Sequence, residues 1–240
     1  MELFFIVDAA KRSGARSVTV VIPYLGYQRQ DHIFRSGEAV SLDVVITALQ
    51  AVGVTKVIAL DLHSIKIPEE FSVPITHLSV LPLFAEKIKK LQSDSGLQTT
   101  TDCVLVSPDM GGIRRIEILS KLVENMSWAT IVKNRDLSTG SVTSDEVQGV
   151  LAKRAFIVDD MISSGGTIDA ACELLAKNGV EEMYVLASHA IFSDKAPQIL
   201  QSSKAEKIFV SDTVFVPSEK RFEKLEIISI SGMIATQLKS

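Results

Sequence analysis

Short apolar, β-branched runs alternate with segments of helical spacing along the chain, and that alternation leaves few folds open. Ser17–Pro23 (SVTVVIP), Lys56–Leu62 (KVIALDL), Cys103–Val106 (CVLV), Trp128–Val132 (WATIV), Ala155–Val158 (AFIV) and Met183–Ala187 (MYVLA) each read as a buried strand. Between them, Val45, Ala48, Leu49 and Val52 fall on one helical face, as do Leu81, Phe84, Ile88 and Leu91, and Ile168, Ala171, Cys172 and Leu175. A further helix is expected from Gly112 to about Glu124, and another over Ile230–Leu238. Strands regularly separated by helices pair in parallel, so the expectation is an α/β protein whose parallel sheets are flanked by helices. In such folds ligands gather at the carboxyl ends of the strands.

Polar, aperiodic Gln92–Asp102 (QSDSGLQTTTD) divides the alternation in two and is the expected linker. The implied domains are 1–92 with the last helix, 229–240, returning to it, and 102–228. Asn134–Gln148 is too long and mixed for a tight connection and reads as a functional lid. At 240 residues and 46% hydrophobic, the chain has ample material for a core. Its net charge of −4, without a Lys/Arg run, argues against nucleic-acid or membrane-surface partners. No stretch reaches the length of a membrane span. MELFFIVDAAKRS lacks a basic leader and a cleavage site, and reads as an amphipathic helix stopped at Gly14. Two cysteines, Cys103 and Cys172, make no disulfide framework; buried thiols and a cytoplasmic location are expected.

The segment with most chemistry is Val158–Thr167, VDDMISSGGT, between a strand and a helix. Gly165 and Gly166 let backbone N–H groups crowd round an anion, and the helix N-terminus adds free donors and partial positive charge. Ser163, Ser164 and Thr167 supply hydroxyls, so this half suits a phosphate monoester. Asp159 and Asp160 would repel that phosphate; as acceptors one loop away they suit the vicinal hydroxyls of a sugar. A ligand with phosphate at one end and a diol at the other is ribose 5-phosphate.

This segment resembles the phosphoribosyl-binding loop of type I phosphoribosyltransferases, and three more motifs narrow the resemblance to the ribose-phosphate pyrophosphokinases. PYLGYQRQD (Pro23–Asp31) resembles that family's Tyr–Gly–Tyr–x–Arg–Gln–Asp segment, LDLH (Leu60–His63) its Asp–Leu–His motif, and VSPDMGG (Val106–Gly112) its Ser–Pro–Asp–x–Gly–Gly motif. The resemblance implies two tandem phosphoribosyltransferase-like domains and transfer of the pyrophosphoryl group of ATP to ribose 5-phosphate with Mg2+. It implies ATP contacts at Arg29, Gln30 and Asp31, metal contacts at His63 and Asp109, and a homo-oligomer. Lys133 and Arg135 resemble the Lys–x–Arg pair of the family's closing loop, where two cations would neutralise charge built on the β-phosphate. His32, His77 and His189 match no motif and are expected to be structural.

Two departures from the pattern bear on function. Gly37 replaces the arginine usual before the family's Glu–Pro, and His32 replaces a common basic residue. The family's first strands and its Phe–x–Asp–x–Glu hairpin have no counterpart ahead of Met1, so the first domain is expected to be incomplete at its N-terminus and adenine binding weakened. Two other functions follow from these features. A non-catalytic or impaired regulatory or associated subunit would explain the missing hairpin. A salvage phosphoribosyltransferase would share the phosphoribosyl loop.

Overall fold

The structure is a computed structural model that describes residues 1–33, 35–94, 102–135 and 142–239, the side chains at 133–135 and 142–144 excepted. The chain forms two compact units, Met1–Ser79 and Val80–Ser240.

The first unit is a three-stranded parallel sheet in the order β1 (Thr19–Ile22), β2 (Lys56–Leu60), β3 (Ile75–Leu78). Helices α1 (Glu2–Arg12) and α2 (Ser41–Ala51) contribute Val7, Leu42, Ile46 and Leu49 to its core, against Val57 and Ala59 of β2. These apolar positions recur every three to four residues on α2, so the helix turns one stripe inward and leaves the rest wet. β1 and β2 run the same way, so the segments that leave their carboxyl ends, Pro23–Asp31 and Asp61–His63, lie at one end of the sheet.

The second unit holds a seven-stranded sheet in the order β10-β9-β8-β7-β4-β5-β6. Its strands are β4 (Cys103–Ser107), β5 (Trp128–Arg135), β6 (Val142–Gly149), β7 (Arg154–Ile162), β8 (Glu182–Ala190), β9 (Lys207–Ser211) and β10 (Leu225–Ile228). Five of the six pairings are parallel, as the strand–helix alternation predicts; β5 and β6 pair antiparallel. Part of the expected lid, Asn134–Gln148, is therefore hairpin strand, and residues 136–141 lie outside the described residues. Its polar composition follows from β6 being an edge strand: Val147 packs on the core while Glu146 and Gln148 face water. Most of the expected linker, 95–101, also lies outside the described residues.

Helices α4 (Ile113–Leu122), α5 (Gly166–Lys177) and α6 (Ala196–Ser202) connect β4 to β5, β7 to β8 and β8 to β9. Central strands β4 and β7 are neighbours whose helical crossovers leave in opposite directions, towards β5 and towards β8. The crevice at the carboxyl ends of such a pair is the topological switch point, where open α/β sheets hold ligands.

Contacts place α3 (Leu81–Asp94) and the last helix, α7 (Ser231–Lys239), in the second unit, although the sequence assigns both to the first domain. For α3 the cause is visible. Phe156, Tyr184 and Phe209 stack across β7, β8 and β9 at 5.6 and 6.5 Å between ring centroids, and Lys87 of α3 lies 4.6 Å over the Phe209 ring. The Lys87 ammonium also meets Glu226 of β10 at 2.5 Å. Both cysteines are buried free thiols, and burial pushes Cys172 up to about 12, so neither is a nucleophile at neutral pH.

Candidate functional site

Central strand β7 carries the acids of VDDMISSGGT further than the sequence suggests. The pattern ends the strand at Val158, but it runs on to Ile162, because Met161 and Ile162 are buried and pair with His189 and Ala190 of β8. Asp159 and Asp160 thus sit on a rigid strand rather than in a loop. The chain then turns through Ser163–Gly165 into α5. Gly165 has φ +83°, the left-handed region that glycine adopts without strain, and a Cβ there would press on Leu200 of α6 at 3.3 Å. Ser163 is anchored from the next loop: its carbonyl accepts from the Ser193 amide (3.0 Å), and the two hydroxyls lie 3.1 Å apart. Ser164, Gly166 and Thr167 are exposed, and no side chain caps the N-terminus of α5. The first-turn amides of α5 have no partner within the helix and stay available to an anion.

Beside this loop, β4 delivers Asp109. Its backbone is extended (φ −159°), and its Oδ1 accepts from the amides of Gly111 (2.9 Å) and Gly112 (3.2 Å), capping the Met110–Gly112 turn. The Asp109 carbonyl is itself held by the hydroxyls of Ser107 (2.7 Å) and Thr130 (3.0 Å). Any side chain on Gly112 would collide with Ser107 Oγ, so the turn depends on that glycine. Asp109 is exposed, and its Oδ2 makes no hydrogen bond among the described residues, which leaves a hard oxygen for a cation.

One residue at this crevice is absent from the motif reading. Arg115, in the first turn of α4, reaches Asp159 with Nη1 at 3.8 Å and Asp160 with Nη2 at 3.7 Å. Two acids with 16% and 8% of their side-chain surface exposed share one guanidinium. Burial, first, and the neighbouring Asp160 charge push the Asp159 carboxyl up to about 8, against the pull of Arg115. The raised pKa favours the protonated Asp159 carboxyl near neutral pH, a donor where the sequence suggests an acceptor. The available signal was the arginine three residues after the Gly–Gly turn, but only the adjacency of β4 and β7 gives it a partner.

In the first unit, Arg29 and Gln30 are exposed, and Asp31 bonds its neighbour His32 (Oδ1 to Nδ1, 2.6 Å). The segment is fixed by its backbone: Gln30 donates to the Tyr27 carbonyl (2.8 Å) and accepts from the Leu42 amide at the start of α2 (3.3 Å). Exposed His63 follows β2. His77 of β3 has a structural role in keeping with the sequence: its Nε2 accepts from the Leu62 amide at 3.1 Å, which requires the neutral ring. Burial holds its pKa below the usual value, the Asp61 charge opposing. His189 is fully buried, its Nδ1 2.9 Å from Thr213 Oγ1. Lys133 and Arg135 lie at the carboxyl end of β5, with Lys133 opposite Asp145 and a register shift between Asn134 and Arg135. Among the described residues no group of three or more His, Cys, Asp or Glu side chains is placed to hold a metal.

Parallel sheets flanked by helices, with acids and a small-residue loop on one strand–helix crossover, make up a phosphoribosyltransferase-like fold. Residues 1–53 match the family model described as the N-terminal domain of ribose phosphate pyrophosphokinase, and residues 141–240 that of the phosphoribosyl synthetase-associated domain. Curated relatives named ribose-phosphate pyrophosphokinase include those of Gloeobacter violaceus and Bacillus caldolyticus. The first is 34% identical over 98% of this chain and 68% of its own length; the second is 35% identical over 98% and 72%. The crystal structure of phosphoribosylpyrophosphate synthetase from Mycobacterium smegmatis superposes with a TM-score of 0.91 at 32% identity, covering 100% of this chain and 76% of that one. The chain belongs to the ribose-phosphate pyrophosphokinase family.

Proposed function

We propose that this protein forms 5-phosphoribosyl 1-pyrophosphate and AMP from ATP and ribose 5-phosphate, for nucleotide biosynthesis. The observation that carries the reading is one crossover at the switch point that offers amides and hydroxyls to a phosphate and an acid pair to a diol. Ser163, Ser164, Gly165, Gly166 and Thr167 hold the 5-phosphate, and Asp159 and Asp160, set by Arg115, hold the ring hydroxyls. Arg29, Gln30 and Asp31 bind ATP. The C1 hydroxyl oxygen bonds to the β-phosphorus, the bond from that phosphorus to the oxygen bridging to the α-phosphate breaks, and AMP leaves as the hydroxyl proton is lost. Lys133 and Arg135 meet the charge that gathers on the β-phosphate oxygens. Asp109 and His63 would hold Mg2+, which supplies further neutralisation of the phosphates when bound; the spare Asp109 oxygen fits so hard a cation better than an imidazole does.

A regulatory subunit without activity is the less favoured reading, since the curated relatives carry the enzyme's name. A salvage phosphoribosyltransferase would not need the Arg29–Asp31 segment. No described helix is long and apolar enough to cross a membrane, and the working location proposed is the cytoplasm, as a homo-oligomer.

The test is direct. The full chain with ATP, Mg2+ and ribose 5-phosphate yields AMP and the pyrophosphorylated sugar in equal amounts; absence of both from folded protein rejects the reading. Release of pyrophosphate with a free base, and no need of ATP, would favour salvage. Asp160→Asn removes the ionised acceptor and leaves the first unit untouched. Its ribose 5-phosphate dissociation constant rises roughly tenfold or more, the worth of one charged hydrogen bond, while ATP affinity holds. Equal sugar affinity in wild type and variant contradicts the assignment of Asp160.

A further inference from the structure

The turn that carries His63 is held at three successive amides, each by a different partner. Asp61 N–H donates to the Leu78 carbonyl (2.9 Å), Leu62 N–H to His77 Nε2 (3.1 Å) and His63 N–H to Gln28 Oε1 (3.0 Å). Asp61 itself is buried and has φ +36°, a backbone conformation an L-residue keeps only where its surroundings enforce it. Two of the three acceptors come from β3, next to β2 in the sheet. The third comes from another segment, the one that leaves β1 and carries Arg29, Gln30 and Asp31.

Gln28 is an unusual choice for its surroundings. It is completely buried, and its Nε2 has no hydrogen-bond partner among the described residues. The His63 amide needs an acceptor, so the carboxamide orientation is fixed and the atom left over is the donor. A buried donor without a partner is destabilising. An apolar side chain would leave no orphan donor but would strip the His63 amide of its acceptor, so that one bond is what the carboxamide is kept for. What it supplies is a tie: its own backbone stands next to Arg29, and its oxygen fixes the backbone of His63, 35 positions further on.

We infer that Gln28 is a positioning residue that sets the Arg29–Asp31 segment and the His63 turn at a fixed spacing, so that both meet one nucleotide triphosphate and its cation together. The inference rests on the ATP-binding reading of those residues. Gln28 touches neither nucleotide nor metal; it acts through His63.

Two variants cut the tie in different ways. Gln28→Asn keeps an amide one methylene too short to reach, and Gln28→Met keeps the length and drops the acceptor. Either variant speeds hydrogen exchange at the His63 amide about tenfold and weakens ATP binding, measured by calorimetry with Mg2+, about fivefold to tenfold, the worth of one hydrogen bond. Ribose 5-phosphate affinity is unchanged. Gln28→Glu, which keeps an oxygen at the right reach, restores protection of the His63 amide. Unchanged His63 exchange in both loss variants overturns the inference. So does faster exchange with unaltered ATP affinity, or an equal loss of sugar-phosphate binding, which would mark general damage. A wild-type chain that binds no ATP sinks the functional reading instead, and His63 exchange then still decides whether the tie exists.

Discussion

Lys133→Ala lowers kcat by ~100-fold or more while the KM values for ATP and ribose 5-phosphate stay within about threefold of wild type. The reasoning starts from where charge moves. In the bound ground state the phosphate charges are spread over the triphosphate chain. As the C1 oxygen closes on the β-phosphorus, charge builds on the oxygens of the transferring group and on the departing AMP. A cation aimed at that position is worth more in the transition state than before it, so its loss falls on turnover rather than on binding. Lys133 lies near the carboxyl end of strand β5, and β4, which pairs with β5 further back, supplies Asp109 from its own carboxyl end. Arg135 follows two residues later, past a shift in the β5–β6 register. Unchanged kcat in the variant removes Lys133 from the chemistry; a rise in KM with kcat intact makes it a binding residue only.

How much of this was legible beforehand depends on the range of the interactions involved. Apolar, β-branched runs announce strands, and β1, β2, β4, β5, β7 and β8 all stand where such runs predict. Strand β3, ITHL, is short and half-buried, and β6 is a solvated edge, so neither carries a continuous apolar run. The strand–turn–helix layout around Ser163–Thr167 was legible because residue types do the work there: glycines, hydroxyls and a helix start lie within five positions. Arg115 was not, since its partners lie 44 and 45 residues away and only the pairing of β4 with β7 brings them to it. The Gln28 tie is hidden for the same reason, because it needs β1 beside β2. The protonation of the acid pair is hidden still more deeply. Two adjacent aspartates in a sequence are both ionised at neutral pH until burial is known.

That burial makes the second large effect, which is on stability. Asp159 has its carboxyl pushed from an ordinary 3.8 up to about 8, chiefly by loss of water and then by the Asp160 charge. A carboxyl whose pKa is higher in the folded chain than in the unfolded one favours folding in its protonated form. Its contribution is complete below the unfolded value and is lost as pH climbs from about 4 through about 8. Above that range the crevice holds two carboxylates against the single Arg115 guanidinium, an unbalanced buried charge. Asp159→Asn cannot ionise and leaves Asp160 and Arg115 as a one-to-one pair. Urea unfolding of the two proteins therefore gives nearly equal stabilities at about pH 4 and a variant that is more stable at about pH 8.5, by an amount bounded at roughly 6 kcal/mol. A stability gap that is the same at both pH values would mean that Asp159 is ionised throughout, and that the crevice offers the sugar acceptors alone. The predicted divergence would instead fix the crevice as a mixed donor and acceptor at neutral pH. A pair of that kind can receive one ring hydroxyl as a donor and supply a proton to the lone pair of another.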